Sequence, residues 1–191
     1  MTLIHTIYLL RHAESAPDRS LPESNWPLSQ QGKVQAEALV PVLKKLGIQR
    51  IVSSPYLRAR CTVKPFAWKA GLEIAIDTDL RERTLAQGIE EDWMTLIRRA
   101  WADLSYSAPG GESGLDCQRR FATCVDRWLV QCPGETLLIC SHGNAIGLYL
   151  NLLDQAFGFG QWQAMRNPDL FRLVSQDSLV IWDRRFTFPN L

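Results

Sequence analysis

Short apolar segments rich in β-formers alternate with longer segments of helical spacing along the whole chain, and this alternation restricts the fold more than any other feature. Strands are expected at residues 4–10, 51–53, 73–76 and 136–141, with two more near 171–174 and 179–183. Ser29 can cap a helix whose apolar positions Val34, Ala38, Val42 and Leu46 recur at helical spacing, with Gly47 as its terminator. Further helices are expected at 55–69, with Pro55 in the first turn, and at 90–104, 113–130 and 144–153. The run 136–141 is apolar, as central parallel strands are. Such alternation gives an α/β fold of three layers, a mostly parallel central sheet flanked by helices. Residues 1–191 suit one domain. Residues 83–112 carry no strand signal, so a helical insertion over the site, a cap, is expected there.

Composition narrows the partners. The chain is 46% hydrophobic and 21% charged, so it can bury a core without disulfide or metal staples. Its net charge of +1 supplies no global field for nucleic acid or an anionic membrane surface, so any anion site is local. Five cysteines, an odd number with no CxxC pair, read as buried free thiols in a reducing compartment. No signal peptide is expected at the N-terminus, and no apolar run reaches the ~18 residues of a membrane span. A soluble cytoplasmic protein is expected, with no membrane and no nucleic-acid partner.

Two of the three histidines end apolar strands. In parallel sheets ligands bind beyond the strands' carboxyl ends, so Arg11-His12 and Ser141-His142 share one edge of the sheet although 130 positions separate the histidines. A neutral imidazole is a nucleophile toward phosphorus when one ring nitrogen is fixed and the other points at the phosphate. Arg11 and Arg58 can clamp the phosphate oxygens. The helix after His142 offers backbone N–H groups at its start, a site suited to phosphate. A carboxyl group must protonate the leaving oxygen, and Glu82 competes with Glu14, Asp79 and Glu112 for that role. Adjacent strand residues point to opposite faces, so Arg11 and His12 reach one site only if the strand has opened into loop there. Trp93, Trp101, Arg98 and Arg99 either line a substrate pocket or belong to a plain amphipathic helix. His5 reads as a surface or strand-start residue, and the apolar tail 186–191 is expected to pack back on the domain.

Leu9-Leu10-Arg11-His12-Ala13-Glu14-Ser15 resembles the Arg-His-Gly signature of the histidine phosphatase, or phosphoglycerate mutase-like, superfamily. Five more segments follow in that family's order. They are Pro27-Leu28-Ser29-Gln30-Gln31-Gly32, Ser53-Ser54-Pro55-Tyr56-Leu57-Arg58-Ala59-Arg60-Cys61-Thr62, Leu80-Arg81-Glu82, Pro109-Gly110-Gly111-Glu112-Ser113 and Ser141-His142-Gly143. The resemblance implies a phosphoglycerate mutase-like fold. It also implies that His12 is phosphorylated, that Arg11, Arg58 and His142 hold the phosphate, and that Glu82 serves as acid and then base. It implies a small phosphorylated substrate, no cofactor and no metal.

Ala13 stands where glycine is common, a variant expected to be tolerated. Two points favour a phosphatase over a mutase: Ala16-Pro17-Asp18-Arg19 stands where the mutase branch has an asparagine, and that branch is longer. Arg83-Thr84-Leu85-Ala86-Gln87-Gly88-Ile89-Glu90 lacks the glycine-x-tryptophan-glutamate-glycine run of many small-molecule phosphatases of the family. The expected function is hydrolysis of a small metabolite's phosphomonoester through phosphohistidine on His12. The alternatives are a phosphoglycerate mutase or bisphosphatase, a phosphohistidine protein phosphatase, and a non-catalytic phosphate-binding module.

Overall fold

A computed structural model describes residues 4–86, 92–176 and 179–189. Its centre is a six-stranded sheet of order β3-β2-β4-β1-β5-β6. The strands are β1 (Ile4–Arg11), β2 (Arg50–Ser53), β3 (Ile74–Ile76), β4 (Thr136–Ser141), β5 (Asp169–Gln176) and β6 (Leu179–Trp182). The first four in chain order are parallel, while β5 and β6 are antiparallel additions at one side. The helices are α1 (Gln30–Leu43), α2 (Leu57–Ala70), α3 (Trp93–Ala102), α4 (Gly114–Gln131), α5 (Gly143–Leu153) and α6 (Phe159–Gln163).

Alternation along β1 divides the core into two layers. Ile7 and Leu9 join Leu137 and Ile139 under α3, α4 and α5, with Leu96, Phe121 and Ile146 among the partners. Tyr8 and Leu10 join Leu138 and Cys140 under α1 and α2, with Leu39, Leu43, Val63 and Phe66. Phe186 and Phe188 pack on this second layer, so the described part of the C-terminal tail folds back as expected. Among the described residues no helix is long and apolar enough to cross a membrane.

Three local expectations are corrected. The buried stripe of α1 is Ala36, Leu39, Val40 and Leu43, whereas Val34 is exposed. A strict i+4 repeat drifts ~40° per step around a helix, while i, i+3, i+4, i+7 stays on one face. Pro55 lies ahead of α2, whose N-cap is Tyr56, rather than in its first turn. His5 is the second residue of β1, so it is the strand-start residue expected, but it is buried there opposite Ser175 rather than at the surface. The expected helix at 90–104 is α3, and its residues 90 and 91 lie outside those described.

Gly32 fixes how the loop after β1 meets α1. A Cβ on Gly32 would stand 1.9 Å from the Glu14 carbonyl oxygen, so backbone closes on backbone only with glycine. Ser29 caps the same turn through Gly32 N–H at 2.9 Å, and its hydroxyl donates to Glu14 at 2.6 Å.

Candidate active site

The register of β1 on β4 ends at the pair Arg11 and Ser141, so the next residues, His12 and His142, emerge side by side. Their ring centroids are 5.1 Å apart at 63°. β1 stops at Arg11, and His12 is already loop, though its N–H still donates to Ser141 O at 3.0 Å. That break lets the adjacent side chains reach one site. The Arg11 guanidinium lies over the Gly143 backbone, where a Cβ would come within 3.1 Å of its Nε. Its Nη1 donates to Met165 O at 2.8 Å.

The His12 tautomer follows from its partners. Nδ1 lies 2.6 Å from Ala13 O, and a carbonyl only accepts, so Nδ1 carries the proton. Nε2 then keeps its lone pair, and Arg58 Nε–H donates to it at 3.2 Å. Burial, with the cations Arg58 and Arg11 adding to it, depresses the His12 pKa to about 3, against which the Ala13 bond works only partly. His142 is fully buried and is likewise held neutral, by burial and then by His12 and the nearby arginines. Its Nε2 is 2.7 Å from Ser54 Oγ, and Tyr56 stacks edge-on at 4.9 Å.

Glu82 follows β3 and a single 3-10 turn, Thr78–Leu80. Its carboxylate accepts from the N–H groups of Arg83 at 2.9 Å, Ala145 at 3.0 Å and Asn144 at 3.2 Å. The start of α5 therefore holds a glutamate, in place of the free phosphate-binding N–H groups expected there. Burial raises the Glu82 carboxyl above its usual range, opposed by these N–H groups and by the charge on Arg58. Arg11 Nε and His142 Nδ1 are buried and make no hydrogen bond among the described residues.

The rival carboxylates are engaged by other partners. Glu112 is held by Arg120 through Nε at 2.6 Å and Nη2 at 2.7 Å. Asp79 pairs with Arg127 at 3.2 Å, and Glu14 accepts from Ser29. Arg60 is exposed, and Arg81 reaches Glu112 at 3.4 Å.

A match to the model of the histidine phosphatase superfamily, branch 1, covers residues 7–183. The chain belongs to that superfamily. A relative from Shigella boydii named probable phosphoglycerate mutase GpmB is 30% identical over 192 residues, covering 91% of this chain and 86% of the relative. The structure of a mycobacterial glucosyl-3-phosphoglycerate phosphatase complexed with VO3 superposes with TM-score 0.72 at 28% identity, over 93% of this chain and 96% of that one. A phosphoserine phosphatase from Entamoeba histolytica shares the fold at TM-score 0.77 and 16% identity, over 93% of this chain and 94% of that one.

This superfamily member supports its histidines with residues that carry no sequence role above. Thr62 accepts from Ala13 N–H at 2.9 Å and donates to Arg58 O at 2.7 Å, joining the loop after β1 to α2. Asn167 donates to His12 O at 2.8 Å. Glu23 reaches Arg58 at 2.7 Å. Thr62 and Ser54 lie inside a quoted motif, a usable signal, whereas Glu23 and Asn167 sit in loops without one.

Proposed function

We propose that the chain is a metal-independent phosphatase that hydrolyses a small phosphomonoester through a phosphohistidine on His12. One observation carries the reading: His12 is fixed through Nδ1–H to Ala13 O, with its Nε2 lone pair turned toward the Arg58 cation. Nε2 attacks phosphorus and the ester P–O bond breaks. Glu82, favoured in its protonated form by burial, gives its proton to the leaving oxygen. Water then attacks the phosphohistidine and gives a proton to Glu82 as the N–P bond breaks, which releases phosphate and restores both groups. Arg11, Arg58 and His142 hold the phosphoryl oxygens. The unpartnered buried nitrogens of Arg11 and His142 suit such an anion. In this reading the described residues of the 83–112 insertion, 83–86 and 92–112, wall the site as a cap within a single domain, and Trp101 supports the wall by donating to Asn144 at 3.2 Å.

The test is hydrolysis of an aryl phosphate with chelator present, comparing wild type with His12→Ala. Turnover that resists chelator and is lost in the variant is expected, whereas equal turnover in both overturns the reading. The name of the 30%-identical relative favours a second reading, a phosphoglycerate mutase. Incubation with 3-phosphoglycerate decides between them: free phosphate marks the phosphatase, and isomerised phosphoglycerate marks the mutase.

A further inference from the structure

Arg58 meets a carboxylate of its own chain. Its Nη2 donates to Glu23 Oε1 at 2.7 Å and its Nη1 to Glu23 O at 2.8 Å, while Nε faces His12. The two partners differ in freedom. The Arg58 side chain is 4% exposed and that of Glu23 46%. Tyr56 and Trp26 flank the guanidinium, at 4.9 and 5.8 Å from its carbon. The cation is the fixed member of the pair and the carboxylate is the member that can leave. The loop that presents Glu23 is itself tied down. Ala16 N–H donates to Pro27 O at 2.9 Å, and Trp26 Nε1 donates to Asp18 O at 2.8 Å. Glu23 lies in a single 3-10 turn, Glu23–Asn25, at the tip.

A phosphate that reaches Arg58 must share this cation with a carboxylate or displace it, and like charges around one donor repel. A second negative group on the substrate meets the same repulsion. We propose that Glu23 is a specificity-determining residue, a resident carboxylate that competes with incoming anions for Arg58 and selects against phosphomonoesters that also carry a carboxylate near phosphorus. The favoured class is a phosphomonoester whose neighbouring groups are hydroxyl or cationic. The inference rests on the reading of Arg58 as a phosphate-holding residue.

Glu23→Gln tests it, because the amide keeps an acceptor for Arg58 Nη2 and removes only the charge. Two quantities are measured in wild type, Glu23→Gln and Arg58→Ala. One is the affinity for inorganic phosphate, by calorimetry. The other is the ratio of kcat/KM for 3-phosphoglycerate to that for glycerol 3-phosphate, a pair that differs by carboxylate against hydroxymethyl. Glu23→Gln is expected to bind phosphate about fivefold more tightly and to raise the ratio by about as much, the scale of one partly exposed ion pair. Arg58→Ala is expected to lose phosphate binding. If Arg58→Ala loses binding while Glu23→Gln leaves affinity and ratio unchanged, the Glu23 role is wrong and the Arg58 role stands. If Arg58→Ala binds phosphate as wild type does, the Arg58 role fails and the Glu23 inference fails with it.

Discussion

At the scale of single residues, Glu82 has two duties that one variant can separate. It accepts from the N–H groups that open α5, and in the proposed reaction it delivers the leaving-group proton. Glu82→Gln keeps an acceptor for the helix but has no proton to give. The expected result is a kcat lower by about 10²–10⁴-fold on an alkyl phosphate, with a much smaller loss on an aryl phosphate whose leaving oxygen needs no proton. Equal losses on both esters would assign Glu82 to structure alone. The positions of His12, Arg11, Arg58, Glu82 and His142 at one sheet edge were legible in the sequence. Arg11 closes β1 and the others lie beyond strand ends, which are written as apolar runs, while the choice of Glu82 among the carboxylates came from the family resemblance alone. Ser54, Thr62, Glu23 and Asn167 were not legible as partners. Their contacts depend on how separate loops close on each other and on α2, which leaves no period to read.

At the scale of elements, strand positions were easier to read than helix faces. A buried parallel strand is apolar on both sides, so β4 is visible whichever way it turns. α1 has apolar residues on two stripes, and only the sheet decides which is buried. α3 gives the clearer case: Leu96, Ile97, Ala100 and Trp101 face the core and Trp93 is exposed, so the plain amphipathic helix accounts for most of it. Besides the Trp101 bond to Asn144, Arg83, next to Glu82, joins this segment to the site. It is 2% exposed and donates to Glu112 O at 2.9 Å, Tyr106 O at 3.2 Å and Ala100 O at 3.4 Å. Burial pulls its pKa down, against the neighbouring Glu112 and Glu82. Arg83→Ala would strand these carbonyls and is expected to cost about 2–4 kcal/mol in denaturant unfolding. Arg81→Ala, at a half-exposed neighbour, should cost about 1 kcal/mol or less. A similar cost for both variants would mean that α3 is held by its apolar face alone.

At the scale of the whole molecule, the fold keeps two neutral imidazoles among cations at its centre, and that arrangement sets how stability depends on pH. His12 has its pKa lowered from 6.5 to about 3, so below pH 6.5 the unfolded chain takes up a proton that the folded chain refuses. Stability from this group is present above pH 6.5 and falls as the pH drops toward 3. By pH 5 the loss from His12 alone is about 2 kcal/mol relative to neutral pH. His142 acts in the same direction. Glu82 acts in the opposite one: its raised pKa makes the folded chain the better proton binder, which favours the fold on the acid side and offsets part of the histidine loss. His12→Asn removes one titration and leaves the others. Wild type is therefore expected to lose about 2 kcal/mol more than His12→Asn between pH 7 and pH 5, measured as unfolding free energy in urea. Parallel losses would place the folded His12 pKa near its ordinary value, with the ring protonated and unable to attack phosphorus at pH 5. The predicted difference would instead mean that His12, the proposed nucleophile, stays unprotonated in acid. Activity there would then end where the fold does, because the burial that keeps His12 unprotonated is the same burial that makes the folded chain sensitive to acid.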